Sequence, residues 1–355
     1  MIVPWTQEWS EPVRTLLRTC LGPKTLQLDE ALWRWQYEQN PCANGAVPVA
    51  LFADAPEALG VLGRIPVQLS TPSGEFGAAW GIDVFVLPEF HNAGIGGLLI
   101  EDWDAATPVS LSLGVTDMAF AVFLASGRTH VGDVPVYKRM IGWDKVVEPR
   151  LGTGLTALIA EKLCAAWGAR SLETAAHAPG LEWQTAETIG PEFDALWLSA
   201  ARGLGLAVRR DRAWVEWRFR RYPRDAFDVF AVRRGGSLVA WVATALAQRG
   251  ERLIGYIADV LWADDRAALA FALAMATYEL EARGADVVEC LASHPRLGRE
   301  LRRLGYWKRP TKTRLLYKIN RPEAAPALAG AERLERWHVT FADSDALTVM
   351  LHEGS

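Results

Sequence analysis

One segment of this 355-residue chain has a composition that asks for chemistry: Val84, Phe85, Val86, Leu87, Pro88, Glu89, Phe90, His91, Asn92, Ala93, Gly94, Ile95, Gly96 and Gly97. An apolar strand-like run ends at Pro88, a short turn follows, and glycines open a stretch in which Ile95, Leu98, Leu99 and Trp103 recur at helical spacing. A helix that starts on glycines presents unpaired backbone N–H groups with no side chains over them, and its dipole is positive at that end. Such a start cradles a phosphate-bearing ligand. The alternative is a tight structural turn between strand and helix. A dinucleotide-binding fold is disfavoured, because its fingerprint needs three glycines in G-x-G-x-x-G near the start of a βαβ series. Asp83 lies on the same strand, facing away from Val84 and Val86. Its carboxylate either meets an acceptor amine as a base or makes a structural hydrogen bond at the strand edge.

The elements that must position these residues follow from periodicity. Helices are expected over 9–19 and 29–38, with Pro41 as the break, then strands over 47–52, 58–69 and 80–87, a helix from about Gly94, a strand over 118–124, and a last helix and strand around Trp143. The second half predicts helices over 191–201 and 212–221, strands over 228–232, 238–245 and 253–262, a helix over 265–283, a strand over 287–291, a helix over 297–304 and a strand over 313–319. Three weak matches relate the halves in the same order. Trp35-x-Tyr37-x-x-x-Pro41 is echoed by Trp217-x-Phe219-x-x-x-Pro223, Ile82-Asp83-Val84 by Ala258-Asp259-Val260, and Gly142-Trp143 by Gly305-Tyr306. Meandering strands followed by strand-helix-strand make an α/β protein with two mixed, mostly antiparallel sheets flanked by helices. The expected division is 1–150, a helix and linker over 151–180, 181–320, and a tail over 321–355.

With these residues in view, the segment resembles the pyrophosphate-binding motif of the N-acetyltransferase superfamily, strand-x-P-E-aromatic-(Arg/Gln)-x-x-G-x-(Gly/Ala). The resemblance implies two such folds in tandem. It also implies that His91, Asn92, Ala93, Gly94, Ile95 and Gly96, with Gly97 beside them, grip the pyrophosphate of acetyl-CoA or another acyl-CoA, while the backbone of Val84, Phe85 and Val86 pairs with the pantetheine arm. His91 stands where the family has Arg or Gln, which removes a permanent cation. Tyr137 resembles the family's general-acid tyrosine in Y-x-x-x-G-aromatic, one residue too far from Gly142; a packed aromatic is the other reading. The implied activity is direct transfer of an acyl group to the amine of a small-molecule or saccharide acceptor bound between the domains. Two alternatives stand beside it: a tandem-fold ligase that uses aminoacyl-tRNA, and a non-catalytic acyl-CoA-binding protein.

The second copy lacks the glycines. Ala263-Asp264-Asp265-Arg266 follows its strand, so two carboxylates occupy the phosphate position, with Asp264 expected to cap the helix. This copy reads as a degenerate partner that supplies walls of the acceptor site. Seven arginines over 209–224 lie among Trp214, Trp217, Phe219 and Tyr222, either holding phosphates or coating the solvent face of a helix with an aromatic core stripe. The segment Trp337-x-x-Thr340-x-x-Asp343-Ser344-Asp345 is similar to the ending of some tandem acyltransferases found with polysaccharide biosynthesis, and reads here as a structural strand. A formal net charge of −4 gives no general attraction to nucleic acid or an anionic membrane. Cys20, Cys42, Cys164 and Cys290 are scattered singly and the histidines are isolated, so no metal and no disulfide is expected. The N-terminus does not read as a secretory signal and the longest apolar run, 267–276, is far short of the roughly 20 residues a bilayer span needs. A cytoplasmic protein is expected.

Overall fold

A computed structural model describes residues 1–141 and 168–352. The first set of elements is β1 (Ile2–Pro4), α1 (Ser10–Leu21), α2 (Glu30–Trp33, prolonged by a π-helical turn Arg34–Glu38), β2 (Val49–Asp54), β3 (Glu57–Thr71), β4 (Gly74–Val86), α3 (Ile95–Ala106), β5 (Val109–Leu113), α4 (Asp117–Ala125), β6 (Thr129–Asp133) and β7 (Val136–Met140). After α5 over 168–176 come β8 (Leu181–Thr185), α6 (Pro191–Leu204), β9 (Leu206–Val208), α7 (Arg212–Val215, with a π-helical turn Glu216–Arg220), β10 (Phe227–Arg234), β11 (Ser237–Arg249), β12 (Arg252–Trp262), α8 (Arg266–Ala282), β13 (Val287–Leu291), α9 (Pro295–Arg303), β14 (Trp307–Arg309), β15 (Arg314–Ile319), β16 (Trp337–His338) and α10 (Ala346–His352). Local chemistry sets several starts. Asp29 accepts from the amides of Ala31 and Leu32 to cap α2, and Pro191 opens α6 where its missing N–H costs nothing.

One reading of the sequence is corrected here. Residues 118–124, expected as a strand, are the body of α4, whose start is fixed by the Thr116 side chain accepting from the Ala119 amide. The strand of that region is β5, where Val109, Leu111 and Leu113 alternate with serines and every residue is buried.

The elements form two mixed sheets. The first runs β1-β2-β3-β4-β5-β15-β6, with β9 added to the end of β3 and β16 to β9; the second runs β14-β7-β13-β12-β11-β10-β8. In both, a long antiparallel meander ends on one parallel pair, β4 with β5 and β12 with β13. The sheets then trade strands: β15 inserts antiparallel between β5 and β6, and β7 inserts antiparallel between β13 and β14. Each half of the chain therefore completes the other's sheet. Lys318 on the traded β15 reaches Asp104 of α3 at 2.8 Å, beside the buried Arg128–Asp104 pair at 2.7 Å.

The echo of Trp35 in Trp217 has a physical meaning. The indoles stack with centroids 5.1 Å apart and planes 14° from parallel. Trp35 Nε1 donates to the Trp217 carbonyl at 2.7 Å and Trp217 Nε1 donates to the Trp35 carbonyl at 2.8 Å, a reciprocal pair about a local two-fold relation. Both indoles are buried, so each bond satisfies groups that water cannot reach. Gly142 and Trp143, and most of the segment expected to join the halves, lie outside the described residues. Among the described residues no helix is long and apolar enough to cross a membrane.

Candidate active site

The turn after β4 is open. Gly94 caps α3 with φ of +80°, a left-handed conformation that glycine adopts without strain, and Asn92 before it has φ of +69°. Among the described residues no side chain caps the helix, and its first backbone bond is Leu98 N to Gly94 O at 3.2 Å. The amides of Ile95, Gly96 and Gly97 thus face outward at the positive end of the helix dipole. A Cβ added at Gly94, Gly96 or Gly97 would meet nothing within 4 Å among the described residues, so their packing does not require glycine there; a ligand approaching the backbone would. Beneath the turn, Ile95 and Leu99 are buried against β3, where Gly60 leaves room for them. His91, Asn92 and Ala93 are exposed. His91 Nε2 donates to the Val86 carbonyl at 3.1 Å, which ties the loop to the end of β4.

Val84, Phe85 and Val86 form the last stretch of β4. That strand pairs with β5 only over Ala78–Trp80, and beyond it, among the described residues, the edge of β4 facing β5 has no strand partner. The ladder between the two parallel strands ends at Trp80, so the stretch of β4 from Asp83 to the turn is unpaired on that side among the described residues. Asp83 sits in a bulge, where Asp83 and Val84 together oppose Leu62 of β3, and its φ of +51° turns the side chain out of the strand's regular alternation. Its carboxylate accepts from Tyr37 Oη at 2.6 Å, Gln27 Nε2 at 3.1 Å and Gln36 Nε2 at 3.4 Å. Gly63 makes room for this: a Cβ there would fall 2.1 Å from the Tyr37 hydroxyl. Burial, and then the nearby Asp345 carboxylate, push Asp83 up to about 6. Asp83 and Asp345 line one cavity of about 30 Å³, and a cleft of about 540 Å³ between α1 and α2 shares the walls Gln27 and Trp33 with it. Of these partners the sequence reading singled out only Asp83. Tyr37 was visible in the internal repeat and Asp345 in the tail motif, but neither carried a sign of this contact.

No family model matches the sequence, and no curated protein matches it. Solved structures match it in shape. A GCN5-related N-acetyltransferase from Kribbella flavida superposes with a TM-score of 0.62 at 14% identity, over 92% of this chain and 73% of that one. One from Anabaena variabilis ATCC 29413 gives 0.59 at 13%, over 90% and 73%. N-myristoyltransferase of Saccharomyces cerevisiae, solved with bound myristoyl-CoA and inhibitors, gives 0.56 at 13%, over 90% and 80%. The chain has the GCN5-related N-acetyltransferase fold. Its two sheets accord with a tandem arrangement.

The second copy of the acetyltransferase fold differs at each point that matters. Beyond Ile257↔Cys290, where the pairing of β12 with β13 ends, residues 338–342 lie between the two strands. Ala342 N donates to Ala258 O at 3.1 Å, Thr340 Oγ1 to Asp259 Oδ1 at 2.9 Å, and Ser293 N, just past β13, to Val339 O at 3.2 Å. The chain's own tail lies where, in the first copy, no strand among the described residues pairs. Asp259, the counterpart of Asp83, is buried with Arg210 at 2.8 Å, and Arg210 also binds the buried Asp343 at 2.7 Å. Phe219 stands where the first copy has Tyr37, and brings no hydroxyl to Asp259. Asp264, expected to cap α8, instead pairs with Arg296 on the surface; the cap is Asp265, which accepts from the Ala268 amide at 3.1 Å.

The strand exchange moves Tyr137 away from the site. It lies on β7 in the second sheet, opposite Cys290 and Lys308, only 5% exposed, with its hydroxyl packed on Gly298 of α9. Burial pushes its phenol above the usual range. In this placement Tyr137 is packed as an aromatic between β13, β14 and α9. The arginines of 209–224 are not a uniform solvent coat either. Arg210 and Arg218 are buried, Arg218 giving its Nη2 to the Ser344 carbonyl at 2.6 Å, while Arg209, Arg212, Arg221 and Arg224 pair with Asp211, Asp194, Glu216 and Asp29.

Proposed function

We propose that the chain is an acyl-CoA-dependent N-acyltransferase that passes the acyl group directly to the amine of a small-molecule or saccharide acceptor bound where the two folds meet. The observation that carries this is the order of features along one strand and turn, among the described residues: a hydrogen-bonded carboxylate at Asp83, an edge over 84–86 unpaired toward β5, then an uncapped helix start bare of side chains. The amides of Gly94 to Gly97 hold the pyrophosphate and the backbone of Val84 to Val86 aligns the pantetheine arm. The acyl-coenzyme supplies the activated carbonyl. Asp83 takes the proton that the amine releases as its nitrogen bonds to that carbon and the sulfur departs with the bond pair, which requires Asp83 to be ionised. The acceptor enters along the cleft between α1 and α2. Acetyl is the donor first tested, with longer acyl chains beside it. Tyr137 takes no part.

A binding protein without turnover is favoured by one observation, that His91 is engaged with Val86 and brings no permanent cation to the phosphates. A ligase acting on tRNA is disfavoured by the ion pairing of the arginine-rich stretch. The test is thiol release from acetyl-CoA across an amine panel, with calorimetry for coenzyme binding. Transfer with an acidic limb near pH 6, lost in Asp83→Asn while coenzyme still binds, supports the proposal. Background thiol release across the panel with tight coenzyme binding sinks transfer and leaves the binding protein.

A further inference from the structure

We propose that Asp345 is a positioning residue for Asp83: the C-terminal segment carries a second carboxylate into the cavity so that Asp83 receives the acceptor's proton there. This rests on the reading of Asp83 given above. Three observations point to it.

The first is the company Asp83 keeps. Among the described residues, the cavity walls include Asp345, Tyr37 and two glutamines, and no cationic side chain. In the second copy the matching Asp259 is given Arg210. The copy with the open phosphate turn received a carboxylate partner, and the copy with the filled cleft received the cation.

The second is the construction that delivers Asp345. The tail leaves the second copy's cleft at Asp343, anchored by Arg210 at 2.7 Å and by the Thr340 amide at 2.9 Å. Ser344 then takes φ of +60°, a left-handed conformation unusual for a non-glycine residue, and its carbonyl accepts from the buried Arg218 at 2.6 Å. The Ser344 hydroxyl donates to Asp345 Oδ1 at 3.0 Å. A backbone held in a sparsely populated region by two buried arginines is over-determined, and what it fixes is the direction of the next side chain.

The third is electrostatic. The groups facing Asp83 are Tyr37, Gln27 and Gln36 from the α1–α2 region, which stabilise its ionised form, and Asp345 from the tail, which opposes it; Arg218 acts on Asp345 in turn. Burial raises both carboxylates. A like charge held beside a carboxylate makes it a stronger base, as a paired site requires of the member that takes the proton.

The test uses the full chain with Asp345→Asn and Asp345→Glu, and with Asp345→Ser as a second neutral variant should Asn fail to fold. Where an acceptor is found, the acidic limb of kcat/KM moves to lower pH by about one unit in the neutral variants and stays in place in Asp345→Glu, with coenzyme affinity unchanged. A limb that does not move in a folded neutral variant overturns the proposal. Independently of turnover, the Asp83 side-chain carbon is titrated by NMR in protein labelled at aspartate, with Asp83→Asn giving the assignment. A lower titration midpoint in the neutral variant supports the coupling, and an unchanged one refutes it. If the coupling is present but no amine is acylated, it is the transferase reading that fails.

Discussion

Replacing Gly96 with alanine separates packing from ligand binding. Gly96 lies in the first turn of α3, and a Cβ there meets nothing within 4 Å. Its φ is not in the left-handed range, so alanine fits without strain. Glycine in a helix costs roughly 0.5–1 kcal/mol relative to alanine, so the free protein gains about that much, a melting temperature higher by roughly one to four degrees. The same methyl group stands over the amides assigned to the pyrophosphate. Losing one hydrogen bond to a charged oxygen costs about 1.5–3 kcal/mol, or roughly ten- to hundredfold in coenzyme affinity. Stability and binding therefore move in opposite directions. Gly203 near the end of α6 also has open space at its Cβ, and Gly203→Ala is the control that leaves coenzyme binding alone. Thermal melts and calorimetric titration with coenzyme A read both quantities. Gly96→Leu binding coenzyme A with wild-type affinity in a folded protein refutes the cradle, and with it the donor site.

Three further outcomes are expected. Asp83 titrates near 6 in the folded chain against about 3.9 unfolded, so its favourable contribution to stability is full below the unfolded value and is lost as pH rises through 6. Asp83→Asn should then raise the melting temperature at pH 8 and leave it nearly unchanged at pH 4; equal effects at both would contradict that environment. Asp343→Ala keeps buried Arg210 paired with Asp259 but removes one charged hydrogen bond and the acceptor of the Thr340 amide, and should cost about 1.5–3 kcal/mol in urea unfolding, with a loss under about 0.5 kcal/mol showing that the pair carries little. Trp217→Phe strands the buried Trp35 carbonyl and should cost about 1–3 kcal/mol; combined with Trp35→Phe the losses should fall short of additive, because the two bonds share one stacked pair.

The turn and its strand were legible because they are local: a strand, a proline, glycines and an apolar stripe occur within one stretch of chain, and the structure keeps them contiguous. Strand β13 was read to the residue, since Val287–Leu291 is a short apolar run between turn signals. What escaped was long-range. Arg210 and Arg218 looked like a solvent coat because their partners, Asp259, Asp343 and the Ser344 carbonyl, lie far along the chain. Tyr137 stood one residue too far from Gly142, and no local pattern announced that its strand belongs to the other sheet. Residues 118–124 misled for a different reason: a nearly continuous apolar run has no period, and the capping Thr116 was the better guide.

The traded strands bear on how the protein is made. A nascent chain emerging from the ribosome cannot seat β15 between β5 and β6 until residue 319 has left the tunnel, so the first sheet stays unsealed through nine-tenths of synthesis. Strand β5, which borders the proposed donor cleft, gains β15 as its neighbour only then. Co-expressed halves cut near the middle must find each other before either sheet is complete, because each sheet takes a strand from the other half.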